Sequence, residues 1–230
     1  MRHKGSEIVV AVAGQPNSGK STIFNMLTGA RQHVANYPGV TVEKRTGKYS
    51  HNGNSVTLVD LPGTYSLTSY SQEERIARDF LLHEKPTCVL DIVDASNLER
   101  NLYLTFQLQE IGVPLVVVLN MMDVAQARGH VIDTRKLSEL LEAPVVATVG
   151  NKGKGKQEVR TAIVNACKNT ENGSFRIDYG EELESILGLL EKKLSEDLYI
   201  SASYPMRWLA VKLMENDSEA RRLVEKAASA

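Results

Sequence analysis

Apolar residues in this chain recur in two rhythms that alternate along its first two thirds. Short β-branched and aliphatic runs occur at Glu7–Ala13, Ser55–Asp60, Cys88–Asp94, Val113–Leu119 and Pro144–Thr148. Between them lie helical spacings at Ser21–Leu27, Leu98–Ile111, with Leu102, Phe106 and Leu108 as apolar positions, and Thr134–Leu141. Val113–Leu119 is apolar throughout, as a strand covered on both faces must be. A sixth strand, Thr41–Ser50, is joined to Ser55–Asp60 by His51-Asn52-Gly53-Asn54, and Asn-Gly between such runs is a strong hairpin signal. Strands alternating with helices predict an α/β fold: a doubly wound, mostly parallel six-stranded sheet with this antiparallel hairpin at its edge. Residues 28 to 40 hold no sustained period and read as a loop. Ser71-Gln72-Glu73-Glu74 forms an S-x-x-E capping box, so its acidic pair reads as a helix start rather than a catalytic pair.

The pattern changes after residue 168. Residues 169–179 are polar and glycine-bearing and read as a linker. From 180 to 230 only helical spacing remains. Leu183, Ile186, Leu187, Leu190 and Leu194 make one stripe, Pro205 opens a second helix burying Trp208, Leu209, Val211 and Leu213, and Asp217 caps a third carrying Leu223 and Val224. The expected organisation is an α/β domain over 1–168 and a small all-α domain over 180–230 that packs on it.

Composition narrows the class. The 230 residues carry a formal net charge of -1 and are 42% hydrophobic, enough for a sizeable core and without the basic excess of a nucleic-acid binder. Cys88 and Cys167 form no CxxC pattern, which suits free thiols in a reducing compartment. The longest mainly apolar run, Ile111 to Leu119, is far short of a membrane span, and the N-terminus does not lead into a signal-peptide core. A soluble chain is expected.

The chemistry centres on Gly14-Gln15-Pro16-Asn17-Ser18-Gly19-Lys20-Ser21, the G-x-x-x-x-G-K-S phosphate loop in its strand–loop–helix context. Backbone N–H groups and a helix N-terminus face an anion there, continuing to Thr22. Lys20 meets terminal phosphates and the Ser21 hydroxyl meets Mg²⁺. This makes the α/β unit a P-loop NTPase. Asp60 ends a strand and opens Asp60-Leu61-Pro62-Gly63, suited to a metal-holding carboxylate and a γ-phosphate-sensing glycine amide. Thr41, after Gly39 and Val40, is the candidate second Mg²⁺ hydroxyl, and residues 31–41 and 61–72 are the expected switches. Asn120-Met121-Met122-Asp123 has the N-x-x-D form in which a carboxylate accepts from guanine N1–H and the 2-amino group. Adenine offers neither donor. Thr148, Val149 and Gly150 stand where a fifth guanine-contacting loop belongs, with the amides of Val149 and Gly150 as contacts to the base, although the usual S-A-K is absent.

In this order the motifs resemble those of translation-factor-like (Ras-like) GTPases. Gly14–Gly29 (GQPNSGKSTIFNMLTG), Gln32–Glu43 (QHVANYPGVTVE), Asp60–Glu74 (DLPGTYSLTSYSQEE) and Asn120–Asp123 (NMMD) further resemble the cytoplasmic N-terminal region of the FeoB ferrous iron transport family. That resemblance implies GTP hydrolysis to GDP and phosphate with Mg²⁺ on Ser21, Thr41 and Asp60, coupled to iron uptake. It implies a membrane permease domain in the full protein, small accessory iron-transport proteins as partners, placement at the cytoplasmic face of the bacterial inner membrane, and the option of homo-oligomers. Family members commonly carry Asn where Gln15 stands, an Asn implicated in an activating K⁺, so the resemblance puts K⁺ activation in question here. Thr64 stands where many regulatory GTPases keep a water-orienting glutamine, which implies slow intrinsic hydrolysis, with Lys20, Thr41, Gly63 and Thr64 as the catalytic set. A soluble ribosome-assembly or tRNA-modification GTPase is the alternative, disfavoured by the balanced charge. An ATP-using motor or kinase is disfavoured by Asn120 and Asp123.

Overall fold

The computed structural model describes residues 7–29, 32–68, 70–168 and 176–227. In chain order the elements are β1 (Ile8–Gly14), α1 (Lys20–Thr28), β2 (Gln32–Asn36), β3 (Glu43–His51), β4 (Asn54–Asp60), α2 (Gln72–Asp79), β5 (Cys88–Asp94), α3 (Leu98–Glu110), β6 (Leu115–Asn120), α4 (Met122–Ala127), α5 (Thr134–Leu141), β7 (Val145–Ala147), α6 (Lys156–Ala166), α7 (Glu181–Ser195), α8 (Leu198–Ser203), α9 (Met206–Met214) and α10 (Ser218–Ala227). The sheet order is β2-β3-β4-β1-β5-β6-β7. Pairs β1–β4, β1–β5, β5–β6 and β6–β7 are parallel, while β2–β3 and β3–β4 are antiparallel. The Asn52-Gly53 turn has both residues at positive φ, 48° and 78°, the conformation that matches the twist of a two-residue hairpin.

The sheet therefore has seven strands rather than six. Residues 32–36, expected as loop, form the edge strand β2, so β3 is one place in from the edge. All five β2 residues are exposed. Backbone pairing to residues 43–47 holds this strand, and with neither face buried it carries no alternating pattern to read. Thr41 sits in a bend just before β3 rather than within it. Arg31 and Ser69 of the expected switches, and residues 169–175 of the expected linker, lie outside the described residues.

Side chains of β5 divide between two cores, as a doubly covered strand requires. Cys88, Leu90 and Ile92 face α1 and α6, packed with Phe24, Leu27, Val159 and Ile163. Val89 and Val93 face α2, α3 and the C-terminal helices, in one cluster with Leu81, Leu104, Leu108, Trp208 and Leu209. Full burial of each such side chain contributes about 1.5–3 kcal/mol. In α3 the buried positions are Leu104 and Leu108, whereas Phe106 is exposed. The α7 stripe is likewise narrower than expected: Leu187 and Leu194 are buried, and Leu183 and Ile186 are exposed.

Ser71 caps α2 in the arrangement its capping box predicts. Its hydroxyl accepts from the Glu74 N–H, and the Glu74 carboxylate accepts from the Ser71 N–H. A π-helical turn, Phe80–Glu84, comes next, ending at left-handed Lys85. Arg78 of α2 is buried, donates to Asp217 (3.2 Å) and Glu219, and stacks on Trp208 at 5.9 Å. Asp217 also caps α10, accepting from the Glu219 and Ala220 N–H groups. The C-terminal helices are thereby tied through one guanidinium to the helix next to the second expected switch. Among the described residues no helix is long and apolar enough to cross a membrane.

Candidate nucleotide site

The site lies where the C-terminal ends of β1, β4, β5 and β6 meet the α1 N-terminus. Two glycines are required there by space as well as by torsion. Gly14 has φ 151°, and a Cβ on it would fall 2.6 Å from the Ile92 carbonyl oxygen. Gly19 has φ 88°, and its Cβ would fall 2.1 Å from Asn120 Nδ2. Ser18 N–H donates to the Gln15 carbonyl at 3.2 Å, closing the turn, and Asn17 at its tip is left-handed (φ 66°) and exposed. Pro16 backs onto Gly63. Ser21 and Thr22 are exposed at the start of α1.

Lys20 Nζ reaches Asp60 Oδ1 at 2.5 Å. Asp60 is held in place by its strand and by backbone bonds from two of the next four residues. The Leu61 N–H donates to the Val12 carbonyl at 3.0 Å, and the Thr64 N–H to the Gly14 carbonyl at 3.4 Å. Leu61 and Thr64 are buried, Pro62 and Gly63 half-buried. Tyr37 is buried and donates its hydroxyl to the Asp60 carbonyl at 2.9 Å, so the first switch segment is anchored at the same point. Burial pushes the Tyr37 hydroxyl pKa up, keeping it a donor. Gly39 and Val40 form the turn after it, with Val40 N–H donating to the Tyr37 carbonyl. Thr41 is exposed, and among the described hydrogen bonds its hydroxyl makes none. Asp60, Ser21 and Thr41 offer carboxylate and hydroxyl oxygens, the hard donors that Mg²⁺ takes. The Lys20–Asp60 pair places the one buried residue of these three beside the ammonium of the phosphate loop.

Asn120 is a brace rather than a free amide. Its Nδ2 donates to the Ser18 carbonyl at 3.0 Å, and its Oδ1 accepts from the Gly150 N–H at 3.0 Å and the Thr148 hydroxyl at 3.3 Å. Two loops thus close on one buried side chain at the end of β6. The same bonds correct the expectation for the fifth loop. Gly150 N–H is taken by Asn120, Val149 N–H by the Lys154 carbonyl at 3.3 Å, and Thr148 is buried. Asn151, next along, is exposed and has no partner for its N–H among the described bonds. Met121 is left-handed (φ 59°), and Asp123 two residues on is half-exposed. Lys152 Nζ donates to Asp123 Oδ2 at 2.8 Å and holds that carboxyl below the usual carboxylate range. In the sequence Lys152 is only one of several lysines alternating with glycine, and spacing alone gives no sign of this pairing.

Gln15 also has its side-chain amide engaged. It is buried, and its Nε2 donates to the Arg100 carbonyl at 2.6 Å. The loop amide that remains exposed is that of Asn17, with no hydrogen bond among those described. Arg100, Tyr65 and Tyr37 carry no motif, so sequence reasoning does not find them.

A glycine-bounded phosphate loop leading into α1, a carboxylate at the end of the neighbouring strand, and a further carboxylate just after β6 define a P-loop nucleotide-binding protein. Residues 8–163 match the family model described as ferrous iron transport protein B, and residues 179–230 match the FeoB cytosolic helical domain. The chain belongs to the FeoB family. It is 43% identical over 227 residues to a Fe(2+) transport protein A/Fe(2+) transporter FeoB fusion protein of Porphyromonas gingivalis, covering 97% of this chain and 27% of that protein. It is 41% identical to the Fe(2+) transporter FeoB of Escherichia coli (strain K12), covering 94% and 28%. The chain therefore spans less than a third of the length of these curated relatives. The cytosolic domain of the T. maritima FeoB iron transporter in its GDP form superposes with a TM-score of 0.90 at 37% identity, covering 96% of this chain and 87% of that one. Its GMPPNP form gives 0.89 at 38%, covering 96% and 86%.

Proposed function

We propose that this chain is the GTP-binding and GTP-hydrolysing cytoplasmic part of a ferrous iron membrane transporter, its two switch segments reporting nucleotide state to an attached permease. The observation that carries the guanine assignment is the Asp123–Lys152 pair. It keeps an ionised acceptor at the base site, on a turn braced through Asn120 to the phosphate loop. Ionised Asp123 accepts from two guanine donors and would stand unpaired against adenine. The GDP and GMPPNP forms of the T. maritima relative support the same reading.

In this proposal Lys20 and the amides from Gly14 to Ser21 take the phosphates. Mg²⁺, when bound, supplies charge neutralisation at the terminal phosphate, held by Ser21, Asp60 and Thr41. Thr41 is exposed in its bend and comes inward only when the first switch is ordered by nucleotide. Gly63 offers its N–H, Thr64 sets the adjacent backbone, and Asn151 rather than Gly150 offers a main-chain donor to the base. A monovalent cation such as K⁺, if used, falls to the exposed Asn17 amide and not to buried Gln15. The domain division at 168–180, the inner-membrane location, the accessory partners and any self-association belong to the same proposal.

Calorimetric titration with GTP, GDP and ATP tests it. Micromolar or tighter binding of both guanine nucleotides is expected, with ATP roughly a hundredfold weaker or more. ATP binding equal to that of GTP would remove the guanine assignment and favour an ATP-driven motor.

A further inference from the structure

We propose that Arg100 is a positioning residue for GTP hydrolysis: its guanidinium pins Tyr65 and thereby sets the Gly63–Thr64 backbone against the phosphate loop. The contacts form a closed ring. Gly14 O accepts from the Thr64 N–H at 3.4 Å; Gln15 Nε2 donates to the Arg100 carbonyl at 2.6 Å; the Arg100 guanidinium lies 4.5 Å from the Tyr65 ring centroid; and Tyr65 is bonded to Thr64. Gly63, the proposed γ-phosphate donor, is the residue next to this ring.

The platform beneath Arg100 is fixed from both sides. Gln15 holds its carbonyl from the phosphate loop. Asn101 ties the same turn to the end of β5, accepting from the Asp94 N–H at 3.2 Å and donating to the Asn97 carbonyl at 3.0 Å. Two turns further along the same helix face, buried Gln107 accepts from the Leu67 N–H at 2.6 Å. Helix α3 therefore mounts the second switch at two points, Tyr65 through Arg100 and Leu67 through Gln107. The Arg100 point is the adjustable one. Arg100 is exposed and has no carboxylate partner among the described ion pairs, and Tyr65 is half exposed with the guanidinium as its one described side-chain partner. A cation–π contact at a surface of this kind is weak enough to break and reform as the switch moves.

This inference rests on the hydrolysis reading, and single-turnover kinetics separate the two. The proteins compared are the wild type, Arg100→Ala, Arg100→Lys, Tyr65→Ala, Tyr65→Phe and the double alanine variant, each also measured for GDP affinity and melting temperature. Arg100→Ala and Tyr65→Ala are each expected to slow hydrolysis about fivefold, equivalent to about 1 kcal/mol. The double variant falls no further than either single one. Arg100→Lys and Tyr65→Phe retain most of the wild-type rate, and GDP affinity and melting temperature stay at the wild-type level throughout. Additive losses, no loss, or a rate loss matched by equal loss of GDP affinity would each overturn the positioning role. A wild-type chain that turns over no GTP would instead overturn the hydrolysis reading beneath it.

Discussion

Lys20 and Asp60 face each other directly, ammonium to carboxylate at 2.5 Å, with both side chains largely buried. The same two groups are the ones proposed for the terminal phosphates and for Mg²⁺. Each partner therefore neutralises the other, and on the proposed function loading exchanges this one buried pair for two new ones, to phosphate and to metal.

Asp60→Asn accordingly affects nucleotide affinity in opposite ways with and without metal. In chelator, GDP affinity equals or exceeds wild type, because Lys20 is released for the phosphates. In Mg²⁺, the gain that wild type draws from the metal falls about tenfold or more, a loss of about 1.4 kcal/mol at least. Fluorescence titration in EDTA and in Mg²⁺ reads both, and an equal loss in the two conditions would refute the exchange.

The two amides of the loop predict different cation behaviour. Asn17→Ala is expected to remove any stimulation of GTP turnover by K⁺ over Na⁺. Gln15→Leu leaves the K⁺/Na⁺ ratio intact and lowers turnover in both salts, since its amide serves the Arg100 carbonyl. Turnover measured in matched chloride salts distinguishes them. A ratio abolished by Gln15→Leu would return the cation to Gln15.

Arg78 is buried against Asp217, Glu219 and Trp208. Removing one partner of a buried ion pair costs roughly 3–5 kcal/mol. Half-exposed Glu219 lowers that, so Arg78→Ala is expected to cost about 2–3 kcal/mol and to speed proteolysis within residues 206–227. Arg78→Lys recovers little, because an ammonium cannot serve two acids and stack on the indole at once. Denaturant melts and limited trypsin digestion check both, and an unchanged cleavage rate would refute the clamp.

Asp91 is enclosed in β5, where its Oδ2 accepts from the Thr105 hydroxyl at 2.6 Å among apolar neighbours. Burial raises its pKa from 3.8 to about 7. The folded chain therefore keeps a proton that the unfolded chain releases, so this group's contribution to stability falls as pH rises from about 4 to 7 and is level above that. Asp91→Asn keeps an acceptor for Thr105 without the charge. Its melting temperature relative to wild type is expected to climb through that window, toward an advantage on the order of 4 kcal/mol at pH 8. A pH-independent difference would show that Asp91 titrates normally.

The phosphate loop, the Asn52-Gly53 hairpin and the Ser71 capping box are local devices, each needing only neighbouring residues to work, so each is legible in the chain. The parts that are not legible depend on what packs against what, or on contacts between distant residues. β2 has no buried face to impose a period. The Gln15–Arg100 bond spans 85 positions, and no side-chain type announces that an amide will turn inward. Asn120 is legible as a motif residue but not as a brace, since its partners at Ser18, Thr148 and Gly150 come from loops that only the sheet brings together. The α7 leucines follow helical spacing, yet Leu183 and Ile186 stay exposed because spacing fixes which residues share a face and not what covers it.

The 2.1 Å approach that a Gly19 Cβ would make to Asn120 Nδ2 has a further consequence. The loop proposed to grip phosphate and the loop proposed to read the base are then two ends of a single lever pivoting on one amide. A substitution at the pivot detunes both grips together, so selection acting on base preference cannot leave phosphate hold untouched. On the proposed function, nucleotide exchange and nucleotide choice are tethered traits, open to joint adjustment and closed to separate improvement at that point.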